Sequence, residues 1–332
     1  MNIAASLKHV EGQIWIRYNK SLDSLTGFDH LEYCKHLSLA GNGYRHLNHF
    51  NKLKEGEIWF DTHLNLRTIN GFNALEKSKA VIIQSQILRL KSIDGFNNVQ
   101  TIDSLLIRGL TPDSLTSIKG FEKLKEVRVF TLVYKRELLE FTAFKNLEKV
   151  SRLDITEAFT GDQNFENFSN LKEVEELGLF RFHSDFTDLY GFRNIDYTKI
   201  KNIRISNMAR DIVCHIEPIC RYLEEEIGPY LISGNWKPGC RSKEEILELC
   251  AVSTEDVISA DGISIYPNPT EGRFVVDAPD GWDIRIYDKI GRPVNYNRYN
   301  EMITLHNNLP GVYIVEIRKG GSVHRAKLMV VR

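Results

Sequence analysis

No excess of charge of either sign exists in this chain: 43 lysines and arginines stand against 44 aspartates and glutamates in 332 residues, a formal charge of -1. That balance offers no electrostatic footprint for nucleic acid or an anionic membrane, and neither is expected as a partner. Long apolar runs are missing as well. Stretches such as 80–83 and 312–315 fall far short of the roughly 20 residues that a membrane helix needs, so no transmembrane segment is expected. The first residues, MNIAASLKHVEGQIWI, carry no basic stretch leading into an apolar one, hence no secretory signal. There is no GxSxG elbow, no HExxH pair, no phosphate-binding glycine loop and no dinucleotide fingerprint. No catalytic residue, metal site or cofactor is therefore expected, and the chain reads as a non-enzyme. His46 and His49, with His63 one coil on, are the nearest thing to a metal cluster, but they have no carboxylate partner and read as surface histidines.

What is present is a ladder. Phe28, Phe50, Phe72, Phe96, Phe121, Phe144, Phe168 and Phe192 follow one another at intervals of 22, 22, 24, 25, 23, 24 and 24 residues. Each has an apolar residue three positions before it (Leu25 through Leu189) and another three after (Leu31 through Ile195). A fixed period of this length means a solenoid. Gly27, Gly71, Gly95, Gly120 and Gly191 precede five of the rings, which suggests a tight turn at positive φ. Leu7 lies 24 residues before Leu31, so the chain starts in mid-coil, and further residues upstream are expected because an uncapped solenoid end exposes core.

Between the phenylalanine frames lie short segments with apolar residues two apart, from Ile14 and Ile16 to Ile203 and Ile205, with Val127 and Val129 taken as one such pair. About nine coils would stack their strands into a parallel sheet roughly 40 Å long. The outward positions are then Trp15, Ser38, Trp59, Ile82, Leu106, Arg128, Asp154, Gly178 and Arg204. Large apolar groups gather in the first five coils, and tryptophan and arginine are enriched where partners bind. Trp15, Trp59, Ile82, Leu106 and Arg128, rimmed by Arg17, Asp61 and Arg108, are the candidate ligand-binding residues for a protein or glycan, the alternative being that Trp15 and Trp59 cover upstream coils or another loop.

Each unit reads L-x-I, then several residues, then I-x-G-F-x-x-L. This pattern resembles the receptor L-domain type of leucine-rich repeat over about residues 3–207. The asparagine that usually follows the strand is present at Asn19 and Asn42 but replaced by His63, Gln86, Leu110 and Ala158.

The period stops after Ile205, and Cys214, Cys220, Cys240 and Cys250 follow within a cap assigned to 208–250. Pro218 suits the first turn of a helix running to about Ile227, Leu231 to Asn235 reads as a strand, and Ser242 with Glu245 opens a second helix ending near Cys250. That helix would hold Cys240 and Cys250 on the order of 12 Å apart, too far for a disulfide. Of the three connectivities, similar offsets from adjacent strands favour Cys214 with Cys240, leaving Cys220 with Cys250, and disulfides imply an oxidising compartment. Without a C-x-x-C pair, zinc is set aside. Cys34 reads as a core residue.

Residues 251–262 read as a linker, and 263–332 as short alternating strands between turns, a small antiparallel β-sandwich of immunoglobulin-like type. The whole fold class is thus mainly β: a solenoid over 1–207, a cysteine-containing α/β cap and a sandwich. The last segment carries Tyr266, Pro267, Asn268 and Pro269 with Gly272 and Phe274, then Tyr287 and Asp288 with Gly291 and Arg292, then Leu309, Pro310 and Gly311 with Tyr313, and a closing Lys327. In that order at the chain end, these marks resemble the type A C-terminal sorting domain of the type IX (Por) secretion system of the Bacteroidetes. The resemblance implies a secreted or outer-membrane surface protein handled by the type IX machinery and its sortase, with removal of this segment and anchoring of the remainder to lipopolysaccharide as one outcome.

Overall fold

The phenylalanine frame closes the coils of a parallel solenoid. The computed structural model describes residues 6–61, 65–84, 89–108, 115–133, 140–156, 165–182, 189–208, 212, 214–235, 239–254, 264–277, 281–288, 292–299, 301–306, 309, 311–319 and 322–330. His63, Gln86, Leu110, Ala158, Gly291 and Pro310 lie outside them. The chain divides into two compact units, Met1–Cys214 with Arg221–Ser242, and His215–Cys220 with Lys243–Arg332.

In the first unit ten parallel strands form one sheet in chain order: β1 (His9–Arg17), β2 (Tyr33–Ala40), β3 (Glu55–Asp61), β4 (Lys77–Ile83), β5 (Thr101–Arg108), β6 (Glu126–Val133), β7 (Lys149–Thr156), β8 (Glu173–Phe180), β9 (Asn202–Ser206) and β10 (Tyr230–Ser233). A second ladder of two-residue strands, from His46–Leu47 to Glu140–Phe141, runs along the other side of the coils. Leu47, Ile69, Ile93, Ile118 and Phe141 on it are buried, as are the residues three past each ring. Those later residues close the turn, for example Leu53 N–H to the Phe50 carbonyl at 3.1 Å and Leu75 N–H to that of Phe72 at 3.1 Å.

The rings form one column. Successive centroids from Phe28 to Phe144 lie 5.0 to 5.4 Å apart, the separation that aromatic pairs favour. The positive φ expected at the preceding glycines falls instead on the rings: Phe50, Phe72, Phe96, Phe121 and Phe144 stand at φ 63 to 67°. Of the five glycines only Gly27 is left-handed. The others are glycine because coils meet there: a Cβ on Gly95 would come 2.2 Å from the Gly71 carbonyl oxygen, and one on Gly120 2.1 Å from that of Gly95.

Asparagines also tie coil to coil, at a place the strand-end positions do not reveal. Asn98, Asn146, Asn170 and Asn194, each two past a ring, donate to carbonyls of the preceding coil at 2.5 to 2.7 Å. Asn42 donates to the Ile16 carbonyl at 2.7 Å. The first coil is the least covered: Val10, Ile14, Ile16 and Phe28 are half-buried, whereas Cys34, Leu37, Leu39 and Phe50 one coil on are fully buried.

Helix α1 (Glu217–Glu224) precedes β10, which adds a tenth strand to the sheet. Helix α2 (Lys243–Thr254) runs four residues past Cys250, so 251–254, read from sequence as linker, are helical. Disulfides join Cys214 to Cys240 and Cys220 to Cys250.

In the second unit, β11 (Ser264–Tyr266), β12 (Arg273–Asp277), β13 (Asp283–Asp288), β14 (Tyr296–Tyr299), β15 (Met302–Leu305), β16 (Gly311–Lys319) and β17 (Ser322–Val330) form two antiparallel sheets, ordered β11-β12-β15-β14 and β13-β16-β17. Phe274, Ile303, Val315 and Leu328 lie at the centre of their shared core.

Candidate binding face and the C-terminal tail

Strand register decides which side chains share the solvent face of the long sheet. Several strands begin with one inward residue, and the next inward residue comes three later: Ile102 then Leu105, Val127 then Phe130, Val150 then Leu153. Alternation resumes only after that interruption. The inward pair of β6 is therefore Phe130 and Leu132, not Val127 and Val129, and the outward residue between them is Thr131, registered with Leu106 and Asp154. Arg128 is exposed but stands outside the row in which sequence placed it. Val127, the apolar residue at the start of β6, mimics the first member of a pair, which is why the spacing misled.

The central row thus reads Trp15, Ser38, Trp59, Ile82, Leu106, Thr131, Asp154, Gly178, Arg204 and Leu231. Trp15 is 61% and Trp59 37% exposed. Ile82, flanked in register by Trp59 and Leu106, is only 7% exposed and offers little surface; Leu106 is half-buried. Arg17 and Asp61 share the row two residues further along, on β1 and β3, and Arg108 ends β5 in the same row.

Around the two tryptophans the polar groups are organised. Arg17 donates from Nε and Nη2 to the Ser38 hydroxyl at 3.0 and 2.6 Å, and its guanidinium lies 4.7 Å from the centre of the Trp15 ring, a cation–π contact. His36 packs 5.5 Å from Trp59 and places Nδ1 3.3 Å from Glu57 Oε2.

Further along, sequence reasoning missed an ionic cluster. Asp154 accepts from Arg152 Nε at 2.7 Å and from Arg204 Nη2 at 2.9 Å, and Glu176 lies 3.8 and 4.0 Å from the same two arginines. Arg204 reaches Asp154 across β8, which is possible because Gly178 lies between: a Cβ there would come 2.2 Å from Asp154 Oδ1. The lone glycine in an outward row was the available signal. The side-chain hydrogen bond to Asp154 keeps the Arg152 guanidinium raised above its ordinary pKa.

Histidines considered from sequence as a cluster point elsewhere: His46 Nδ1 is 2.9 Å from the Thr68 hydroxyl and His49 Nδ1 3.5 Å from Asp29. Among the described residues no group of three or more His, Cys, Asp or Glu could hold a metal ion. No helix among them is long and apolar enough to cross a membrane.

The marks of the tail are structural joints. Asn268 donates to the Lys327 carbonyl at 2.7 Å and accepts from Met329 N–H at 2.7 Å, standing in for a strand beside β17. Asp288 accepts from the Arg292 backbone N–H and Nε, both at 2.9 Å. Tyr313 donates its hydroxyl to the Leu309 carbonyl at 2.7 Å, and Phe274 is fully buried. Buried Glu316 takes hydrogen bonds from Arg325 at 2.7 Å and Arg318 at 2.6 Å, which hold its carboxyl below the ordinary range.

Residues 264–331 match the family model described as a secretion system C-terminal sorting domain. No curated protein matches the chain. A type IX sorting tail marks a secreted or cell-surface protein that engages the type IX secretion machinery.

Proposed function

We propose that this is a non-enzymatic binding or adhesion protein, exported by its tail and displaying the long sheet of its receptor L-domain-like repeats to a protein or glycan ligand. The observation that carries the reading is the pair of tryptophans on the solvent face, Trp15 and Trp59, on a protein whose tail sends it out of the cell. Ordinary coils put polar groups at such positions, and large exposed aromatic side chains mark interaction sites. The non-enzymatic reading is supported by the way ionisable groups on this face pair with one another, as Asp154 does with Arg152 and Arg204. By resemblance the source is a member of the Bacteroidetes, a sortase removes the tail, and the remainder is held on surface lipopolysaccharide or released.

One other reading is a surface spacer whose repeats assemble only with one another. An array of glycans and extracellular proteins probed with the full chain separates the two. Saturable capture of a defined ligand is expected for the binding protein; no capture, together with concentration-dependent self-association in sedimentation, supports the spacer.

A further inference from the structure

Arg17 differs from the two arginines of the ionic cluster on this face. Arg152 and Arg204 are committed to Asp154 and Glu176. Arg17 spends two of its five N–H donors on a neutral hydroxyl, that of Ser38, and forms no ion pair with any described residue. Its guanidinium is held against Trp15 and reaches Ser38 on β2, the strand between those of Trp15 and Trp59. The site is therefore a planar, prearranged cation, without an ion pair among the described residues, that lies on Trp15 and is bonded to Ser38, the residue registered between Trp15 and Trp59. Such a fork matches a carboxylate.

Spacing limits what carries that carboxylate. Trp15 and Trp59 occupy the central row on β1 and β3, two strand steps or roughly 9.6 Å apart. That is about the length of one disaccharide in an extended β-1,4-linked chain. Leu106 continues the row at the same step on β5. The apolar faces of alternate sugars would lie on these side chains, with the intervening unit over Ser38 and Arg17. Arg17 is followed along its row by Ala40 and Asp61 on β2 and β3, so a carboxylate is favoured at one position and not at every sugar. We propose that the first three coils bind an extended polysaccharide with sparse uronic acid groups, one uronate being taken by Arg17 and the neutral sugars stacking on Trp15 and Trp59.

This inference rests on the sheet being the binding face, and its test separates the two. Full-length protein is titrated with glucuronoxylan and with the same polymer after carboxyl reduction, using the parent, Arg17→Gln, Arg17→Lys and Trp15→Ala/Trp59→Ala, with urea midpoints measured for each. The parent is expected to prefer glucuronoxylan at least tenfold over the reduced polymer, with a preference that weakens as salt rises. Arg17→Gln removes that preference while leaving the weaker neutral binding, Arg17→Lys keeps part of it, and the double tryptophan variant loses both. Equal binding of the two polymers by the parent, no binding of either, or an unchanged preference in Arg17→Gln would overturn the inference. If a protein ligand is then found whose capture needs Trp15 and Trp59, the binding face stands and only its glycan assignment falls.

Discussion

Replacing Phe96 by alanine and by glycine separates ring packing from backbone conformation, and the two variants are expected to rank against habit. Phe96 is fully buried, stacks at 5.0 Å on Phe72 and 5.1 Å on Phe121, and has φ of 66°. Truncation to alanine removes the ring and should cost about 3 to 5 kcal/mol. A Cβ in the left-handed region adds strain of about 1 to 2 kcal/mol, and alanine keeps that strain where glycine relieves it. Against this, glycine gives the unfolded chain extra freedom worth about 0.4 to 1 kcal/mol. Phe96→Gly should therefore be more stable than Phe96→Ala by about 0.5 to 1 kcal/mol, although it is the smaller residue. Phe168 supplies the control: it is equally buried but ends a short 3-10 helix, Glu166–Phe168, and the positive φ falls on Phe165, which precedes that helix. There alanine should be the better substitute. Urea unfolding followed by far-ultraviolet circular dichroism gives the midpoints. Glycine at or below alanine at position 96, or the same ranking at both positions, would refute the account of the ladder as rings held in left-handed turns.

Three other outcomes follow from the same geometry. Gly178→Ala pushes Asp154 away from Arg204 and should cost about 1 kcal/mol in urea unfolding, with a smaller penalty in an Arg204→Met background; equal penalties would mean that the glycine serves something else. His215 is buried with neither ring nitrogen hydrogen-bonded among the described residues, and burial pushes its pKa down from 6.5 to about 4. The unfolded chain therefore takes up the proton first as pH falls from 6.5 toward 4, and stability declines across that window by about 3 kcal/mol, a decline that His215→Phe should flatten in unfolding measured against pH. Cys214 and Cys240 are 26 residues apart, and replacing both by serine should lower stability by about 3.5 kcal/mol in the chain-entropy account; a loss under 1 kcal/mol in urea unfolding would contradict that estimate.

The repeat was legible because a coil must be filled and turned in the same way each time, so Phe50 to Phe192 and their flanking apolar residues recur whatever the surface does. The tail was legible for a similar reason: Asn268, Asp288 and Tyr313 each make a joint that only a particular side chain makes. Register was harder to read. Val127 and Val129 satisfy an alternating pattern, yet the alternation breaks between Val127 and Phe130, and only the pairing of β6 with β5 and β7 shows it. Gly71, Gly95, Gly120 and Gly191 were tied to the wrong cause, while Gly27 does take positive φ, because sequence shows that a side chain is absent but not whether φ or a neighbouring coil forbids it. Contacts across coils, such as Arg17 with Ser38 or Arg204 with Asp154 over Gly178, need the rows to be aligned first.

The role of the sheet face turns on Trp59. As an exposed ligand contact on an interior strand it should be dispensable for folding, whereas as packing it should not. Trp59→Ala in the full chain, assayed for capture of array-identified ligand and for its urea midpoint, is the direct measurement. Capture reduced at least tenfold with a midpoint unchanged within error is the predicted result; undiminished capture with a lowered midpoint would contradict the account and return Trp59 to the scaffold.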